Sequence, residues 1–296
     1  MHKKLKSLGK RFVEKCRVLL GKPATIVSLV IIGMVIVLHI AFVRNFCEYP
    51  AGIITECIGI LVTVIFVQVI FDKKGKNDTR IKERNDILHV DKLLSIYFIR
   101  YNKCFDRLIS QTGNTVKKDN FEYKDLANIY ASASSGQDGL FRPAVECFFE
   151  IEQRIVSFLE QTLATKSFEF YPQIQRLFED FICTHIYADV SSFILETANL
   201  HIGNEEVRKH DVKMIAESTQ ETYEFYKAKS SLNVHTPYII LFQLLKEERR
   251  IYLEYLREVQ KIISEIIICL DNETQKLYYA KYLCKIEHEL EASRNG

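Results

Sequence analysis

Apolar and polar positions alternate along this chain in two rhythms, one continuous and one periodic. The continuous rhythm comes first. Ala24–Val43 (ATIVSLVIIGMVIVLHIAFV) and Gly52–Phe71 (GIITECIGILVTVIFVQVIF) are apolar almost throughout, and only Arg44–Ala51 separates them. At about 1.5 Å per residue, a helix of about 20 such residues crosses a bilayer core of about 30 Å. The pattern therefore predicts a transmembrane helical hairpin with both ends on one side. A cleaved signal peptide fits the first run less well, because the run is long and no small-x-small site follows it.

Periodic patterning flanks the hairpin. In residues 3–21, Leu5, Leu8, Phe12, Cys16 and Leu19 recur at helical spacing among Lys and Arg, which predicts a basic amphipathic helix able to lie among lipid headgroups. Beyond Phe71 a charged run, DKKGKNDTRIKER, leads into a helix whose apolar faces are marked by Ile81, Leu88, Leu94 or Ile96, Ile99 and Leu108. A loop at 111–120, a short helix at 121–131 and a flexible link at 132–139 follow. Helical periodicity then covers 140–164, 173–201, 204–229, 237–270 and 272–291, with start signals at Asn204, Thr236 and Asp271. No stretch alternates with period two. The predicted class is all-α: the hairpin, then a cytoplasmic helical bundle. The predicted segments are a leader (1–22), the hairpin (23–71), a juxtamembrane helix and linker (72–118) and an acidic bundle (119–296).

Tyr252, Leu256, Val259, Ile263, Ile266 and Leu270 step by 4, 3, 4, 3 and 4 residues. That seam suits a bundle core helix or, alternatively, a coiled-coil contact between copies. The phenylalanines Phe148, Phe149, Phe158, Phe178, Phe181 and Phe193 read as core.

Charge sets orientation. Residues 1–84 carry 15 Lys and Arg against 6 Asp and Glu, and residues 85–296 carry 25 against 32. Basic flanks stay cytoplasmic, so the expected location is the inner (plasma) membrane, multi-pass, with both termini cytoplasmic. Lys3, Lys4, Lys6, Lys10, Arg11, Lys15, Lys73, Lys74 and Lys76 are the expected headgroup contacts. An acidic body is a poor binder of nucleic acid. The eight cysteines form no CxxC pair, so no zinc or dithiol site is expected.

Catalytic chemistry is thinly supported: the sequence has no P-loop, GxGxxG, nucleophile elbow or HExxH. His210-Asp211 could form part of a metal site only if His185 and His201 converged on it. Cys183 and His185 are two apart and do not share a helix face. Glu287-His288-Glu289 reads as a polar helix face, and Lys246-Glu247-Glu248-Arg249-Arg250 as a solvated stripe. No enzyme, metal or cofactor is expected. The hairpin is better supplied. His39 and Glu56 lie at similar depth and can pair. Gly52, Glu56, Gly59 and Thr63 share a stripe suited to helix–helix packing, with Ser28 on the His39 face. Glu56 could sit in interfacial water, lock the hairpin through His39, or line a polar path between hairpins.

The segment AGIITECIGILVTVIFVQVIFDKKGKNDTRIKER, with the span before it, resembles two-span membrane effectors of bacterial anti-phage systems, such as those of certain retrons and abortive-infection proteins. The resemblance covers roughly residues 24–110. It implies a toxin that damages the inner membrane on release from an inhibitory complex, arresting growth or killing the cell. Implied partners are membrane lipids, a cytoplasmic inhibitory protein and further copies of the chain. The alternative is a tethered helical scaffold or receptor that binds a cytoplasmic protein without permeabilising anything.

Overall fold

The structure, a computed structural model, describes residues 50–109, 121–133, 142–199, 204–229 and 233–295. It is helical nearly throughout, as the periodicity predicts. The chain divides into two compact units, Met1–Ile81 and Lys82–Gly296. In the first unit the described part is the opening half of α1, which runs unbroken from Pro50 to Ile109 for 60 residues. Its side chains are exposed at Ile60, Phe66, Val67, Ile70 and Phe71.

Among the described residues no helix is long and apolar enough to cross a membrane. This corrects the expected multi-pass placement in the inner membrane with cytoplasmic termini. The second apolar run, ending at Phe71, lies on α1. Beyond it the same helix continues as Asp72, Lys73 and Lys74. The first apolar run and the basic leader lie outside the described residues.

The second unit begins on the same helix. Ile87, Val90, Leu94, Phe98, Tyr101, Phe105 and Leu108 are buried, at steps of three and four that place them on one helix face. Ile81, Ile96 and Ile99, expected on apolar faces, are exposed, and Leu88 is partly buried. The segment expected as a juxtamembrane helix thus supplies core to the bundle.

A short 3-10 helix (Tyr123–Asn128) follows. Then comes a two-residue antiparallel ladder, β1 (Ser132–Ala133) with β2 (Arg142–Pro143), pairing Ser132 with Pro143. The helices after it are α2 (Ala144–Thr165), α3 (Pro172–Tyr187), α4 (Ser191–Ala198), α5 (Glu205–Ala216), α6 (Gln220–Ala228), α7 (Thr236–Cys269) and α8 (Glu273–Asn295). Pro172 and Pro237 occupy first turns, where a missing N–H costs nothing. Asn204 caps α5 by accepting from the Glu206 N–H at 2.8 Å, worth about 1 kcal/mol.

Two expected helices are each broken in two. Asp189 accepts from the Ser191 N–H at 3.1 Å and the Ser191 hydroxyl at 2.5 Å, closing a turn that ends α3 and starts α4. Thr219 accepts from the Thr222 N–H at 3.2 Å and starts α6. Short polar side chains offer the backbone an alternative to helix at both places.

α7 is the spine of this unit. It packs against α3 and α8 and buries Leu241, Leu244, Leu245, Ile251, Val259 and Ile263 among others. The whole heptad seam is internal: Tyr252, Leu256, Val259, Ile263 and Ile266 are buried and Leu270 packs against the core. The seam is therefore intramolecular core, not a contact between copies. Ring pairs join the layers. Phe98 lies 4.1 Å from Tyr252, and Phe121 lies 5.4 Å from Phe105 and 5.1 Å from Phe242, each pair worth roughly 1 kcal/mol beyond burial. Phe193 alone of the six expected core phenylalanines is exposed.

Candidate functional site

The bundle buries carboxylates at positions that its apolar patterning assigns to the core. Glu83 and Asp91 on α1, Glu152 on α2, Asp211 on α5 and Glu248 on α7 are all buried. Each sits three or four residues from a core residue on its own helix: Glu83 from Ile87, Asp91 from Leu94, Glu152 from Phe148 and Ile155, Asp211 from Ile215, Glu248 from Leu245 and Tyr252. A buried carboxyl needs donors or a proton, so the fold must supply one or the other.

Most of these groups receive donors. Glu83 accepts from the Ser167 hydroxyl at 2.5 Å, the Glu169 N–H at 3.1 Å and the Phe170 N–H at 2.8 Å. Beside it Lys166 meets Asp86 at 2.9 Å. Together they pin the α2–α3 loop to α1. Asp91 accepts from Tyr255 at 2.9 Å and also from Tyr282. Burial raises its pKa against the pull of both hydroxyls. Asp211 accepts from Tyr238, which also meets Tyr130 at 2.7 Å. Glu289, half-buried on α8, accepts from Tyr252 at 2.5 Å and Asn102 at 3.1 Å. Tyrosine hydroxyls thus tie α7 to α1, α5 and α8.

Glu152 and Glu248 differ. Both are fully buried. Tyr101 donates to Glu248 Oε2 at 2.6 Å, and His185 Nδ1 meets Glu152 Oε1 at 2.8 Å. The other two oxygens, Glu152 Oε2 and Glu248 Oε1, receive no donor, although the two carboxyls lie within hydrogen-bonding reach of each other. Burial first, then the neighbouring Glu152, push the Glu248 carboxyl well above the usual carboxylate range, against the Tyr101 bond. The Glu152 bond raises the His185 imidazole, against its burial. His185 is partly exposed. The cluster therefore joins α1, α2, α3 and α7 and reaches solvent at the imidazole.

Outside this cluster, α3 and α7 border an open groove. One part, of about 650 Å³, is lined by Arg176, Cys183, Tyr187, Ile240, Leu244 and Arg250 among others. A neighbouring part, of about 360 Å³, extends along Arg257, Glu258 and Lys261. Much of the rim charge is internally paired, Arg250 with Glu247 and Glu254 and Lys261 with Glu258. Tyr187 at the end of α3 is 88% exposed.

The sequence-derived candidates fare unevenly. Lys73, Lys74 and Lys76 are exposed on α1. Thr63 donates to the Gly59 carbonyl at 2.8 Å, and a Cβ at Gly59 would meet nothing within 4 Å. Gly52 and Glu56 lie in the first turns of α1, where side chains are outside the described residues. Lys3, Lys4, Lys6, Lys10, Arg11, Lys15, Ser28, His39 and His201 are outside them altogether. His210 is exposed, with Nδ1 at 3.3 Å from Asp211. His185 instead serves Glu152. Among the described residues no group of three His, Cys, Asp or Glu is arranged to hold a metal ion. The stripe at 246–250 is corrected: Lys246 and Arg250 are exposed, but Glu248 and Arg249 are buried. The available signal was register, since Glu248 continues the seam four residues ahead of Tyr252.

No family model matches the chain, and neither a curated protein nor a solved structure matches it.

Proposed function

We propose that the helical body, residues 82–296, is a non-enzymatic binding module that docks a protein along the groove between α3 and α7. The observation that supports this reading most is Tyr187, 88% exposed at the rim of a groove that Ile240 and Leu244 also line. An exposed aromatic beside apolar side chains and a paired polar rim has the composition of a protein-binding hot spot. α7, tied by tyrosine hydroxyls to α1, α5 and α8, supplies a firm wall, which limits the ordering cost of association. The permeabilising activity implied by the anti-phage resemblance depends on two membrane spans, and the binding module needs neither.

The test is affinity capture by the full-length chain, its Tyr187→Ala variant and a Tyr278→Ala control. Tyr278 is likewise exposed but lies on α8 and does not line the groove. A partner retained by wild type and control and lost by Tyr187→Ala supports the reading. A partner indifferent to Tyr187 contradicts it. So does a collapse of membrane potential on induced expression that Tyr187→Ala leaves unchanged.

A further inference from the structure

The two donorless oxygens carry the molecule's least expected feature. An ionised carboxylate pair in contact, sealed from water, would repel strongly at low dielectric. A single proton resolves this. Placed between Glu152 Oε2 and Glu248 Oε1, it turns two orphan acceptors into one donor and one acceptor. We infer that Glu152 and Glu248 share one proton, and that this proton closes a clasp joining α2, α3 and α7 that opens as pH rises.

The surroundings suit one proton and not two anions. From α1 comes the neutral Tyr101 hydroxyl, already donating to Glu248 Oε2. From α3 comes His185, which meets Glu152 on its outer oxygen, with Asp189 and Glu160 acting on the imidazole from farther away. Arg249, next along α7, turns to Asn102 at 3.2 Å and lies over the Tyr252 ring. Neither inner oxygen receives a donor, while a protonated His185 can offset one negative charge from the outer side. His185 is also the solvent-facing member of the cluster and so the natural route for proton exchange. Loss of the shared proton leaves two anions face to face across α2 and α7. Relief requires the helices to part or water to enter, and α3 follows because His185 is bonded to Glu152. The clasp behaves this way whether or not the groove binds a protein.

The sign follows from linkage. A folded state that keeps a proton the unfolded chain releases loses stability as pH rises. The loss begins near the ordinary Glu value of about 4.3 and continues to the raised folded value. His185, also raised, adds a loss in the same direction above about 6.5. The experiment is urea unfolding of the full-length chain from pH 5 to 9 for wild type, Glu248→Gln and Glu152→Gln. In Glu248→Gln the new side-chain amide would donate permanently to Glu152 while its oxygen accepts from Tyr101. For wild type the unfolding constant should rise with pH, by up to about tenfold per unit for one proton. Glu248→Gln should lose most of that dependence, and Glu152→Gln should lose the His185 portion as well. Equal slopes in wild type and Glu248→Gln would overturn the shared proton. If neither variant folds, infrared spectra of wild type decide. A protonated carboxyl stretch at pH 7.5 that vanishes on unfolding supports the proposal, and its absence from the folded protein refutes it.

Discussion

Glu83 and Glu248 are both buried glutamates on helices that line the same core, yet they are satisfied in opposite ways. Glu83 gathers three donors from one loop. Glu248 has one hydroxyl and faces another acid. Donor supply, not burial, separates them. Where a loop brings N–H groups to the carboxylate, the result is an anchor. Where two helices bring only acids together, the result is a group that depends on a proton.

The sharpest way to break the comparison is to remove the anchor. Glu83→Ala strands the Ser167 hydroxyl and the Glu169 and Phe170 N–H groups. It should cost about 3 kcal/mol in urea unfolding at any pH between 6 and 8. The proton-dependent pair predicts a different signature, a stability that falls from pH 6 to 8.5 by up to about 1.4 kcal/mol per unit for each proton. Tyr255→Phe lies between these cases. Asp91 keeps Tyr282 and loses one donor, so the expected loss is about 1 kcal/mol. Thr219→Ala removes the cap that separates α6 from α5 and should cost about 1 kcal/mol or less. Smallest is Arg250→Ala. Its pairs with Glu247 and Glu254 are exposed, and the change should stay within about 0.5 kcal/mol.

Helical periodicity made the architecture legible. The all-α body, the seam on α7 and the Asn204 cap all follow from spacing and residue type. Breaks within the longer runs were not legible, because Asp189 and Thr219 act through local side-chain bonds that leave the apolar period undisturbed on either side. The buried acids were hidden for a related reason. In KEERR, charge type dominates the eye, and the stripe reads as solvated. Helical register says otherwise. Glu248 follows Leu245 by three and precedes Tyr252 by four, and Glu152 stands in a similar relation to Phe148 and Ile155. A charge on the core side of a helix is the signal, but its companion lies on another helix about a hundred residues away. The sequence shows each acid and not their meeting. In α1, the unbroken run of helix from Pro50 to Ile109 merges segments that composition alone separates into a span and a juxtamembrane helix.

The most direct test counts protons. Unfolding enthalpy of the full-length chain, measured at pH 7 in buffers of different ionisation heat, gives the number released. Wild type should release close to one proton more than Glu248→Gln. Equal release from the two would mean that Glu152 and Glu248 hold no shared proton, and the account of this core would fail.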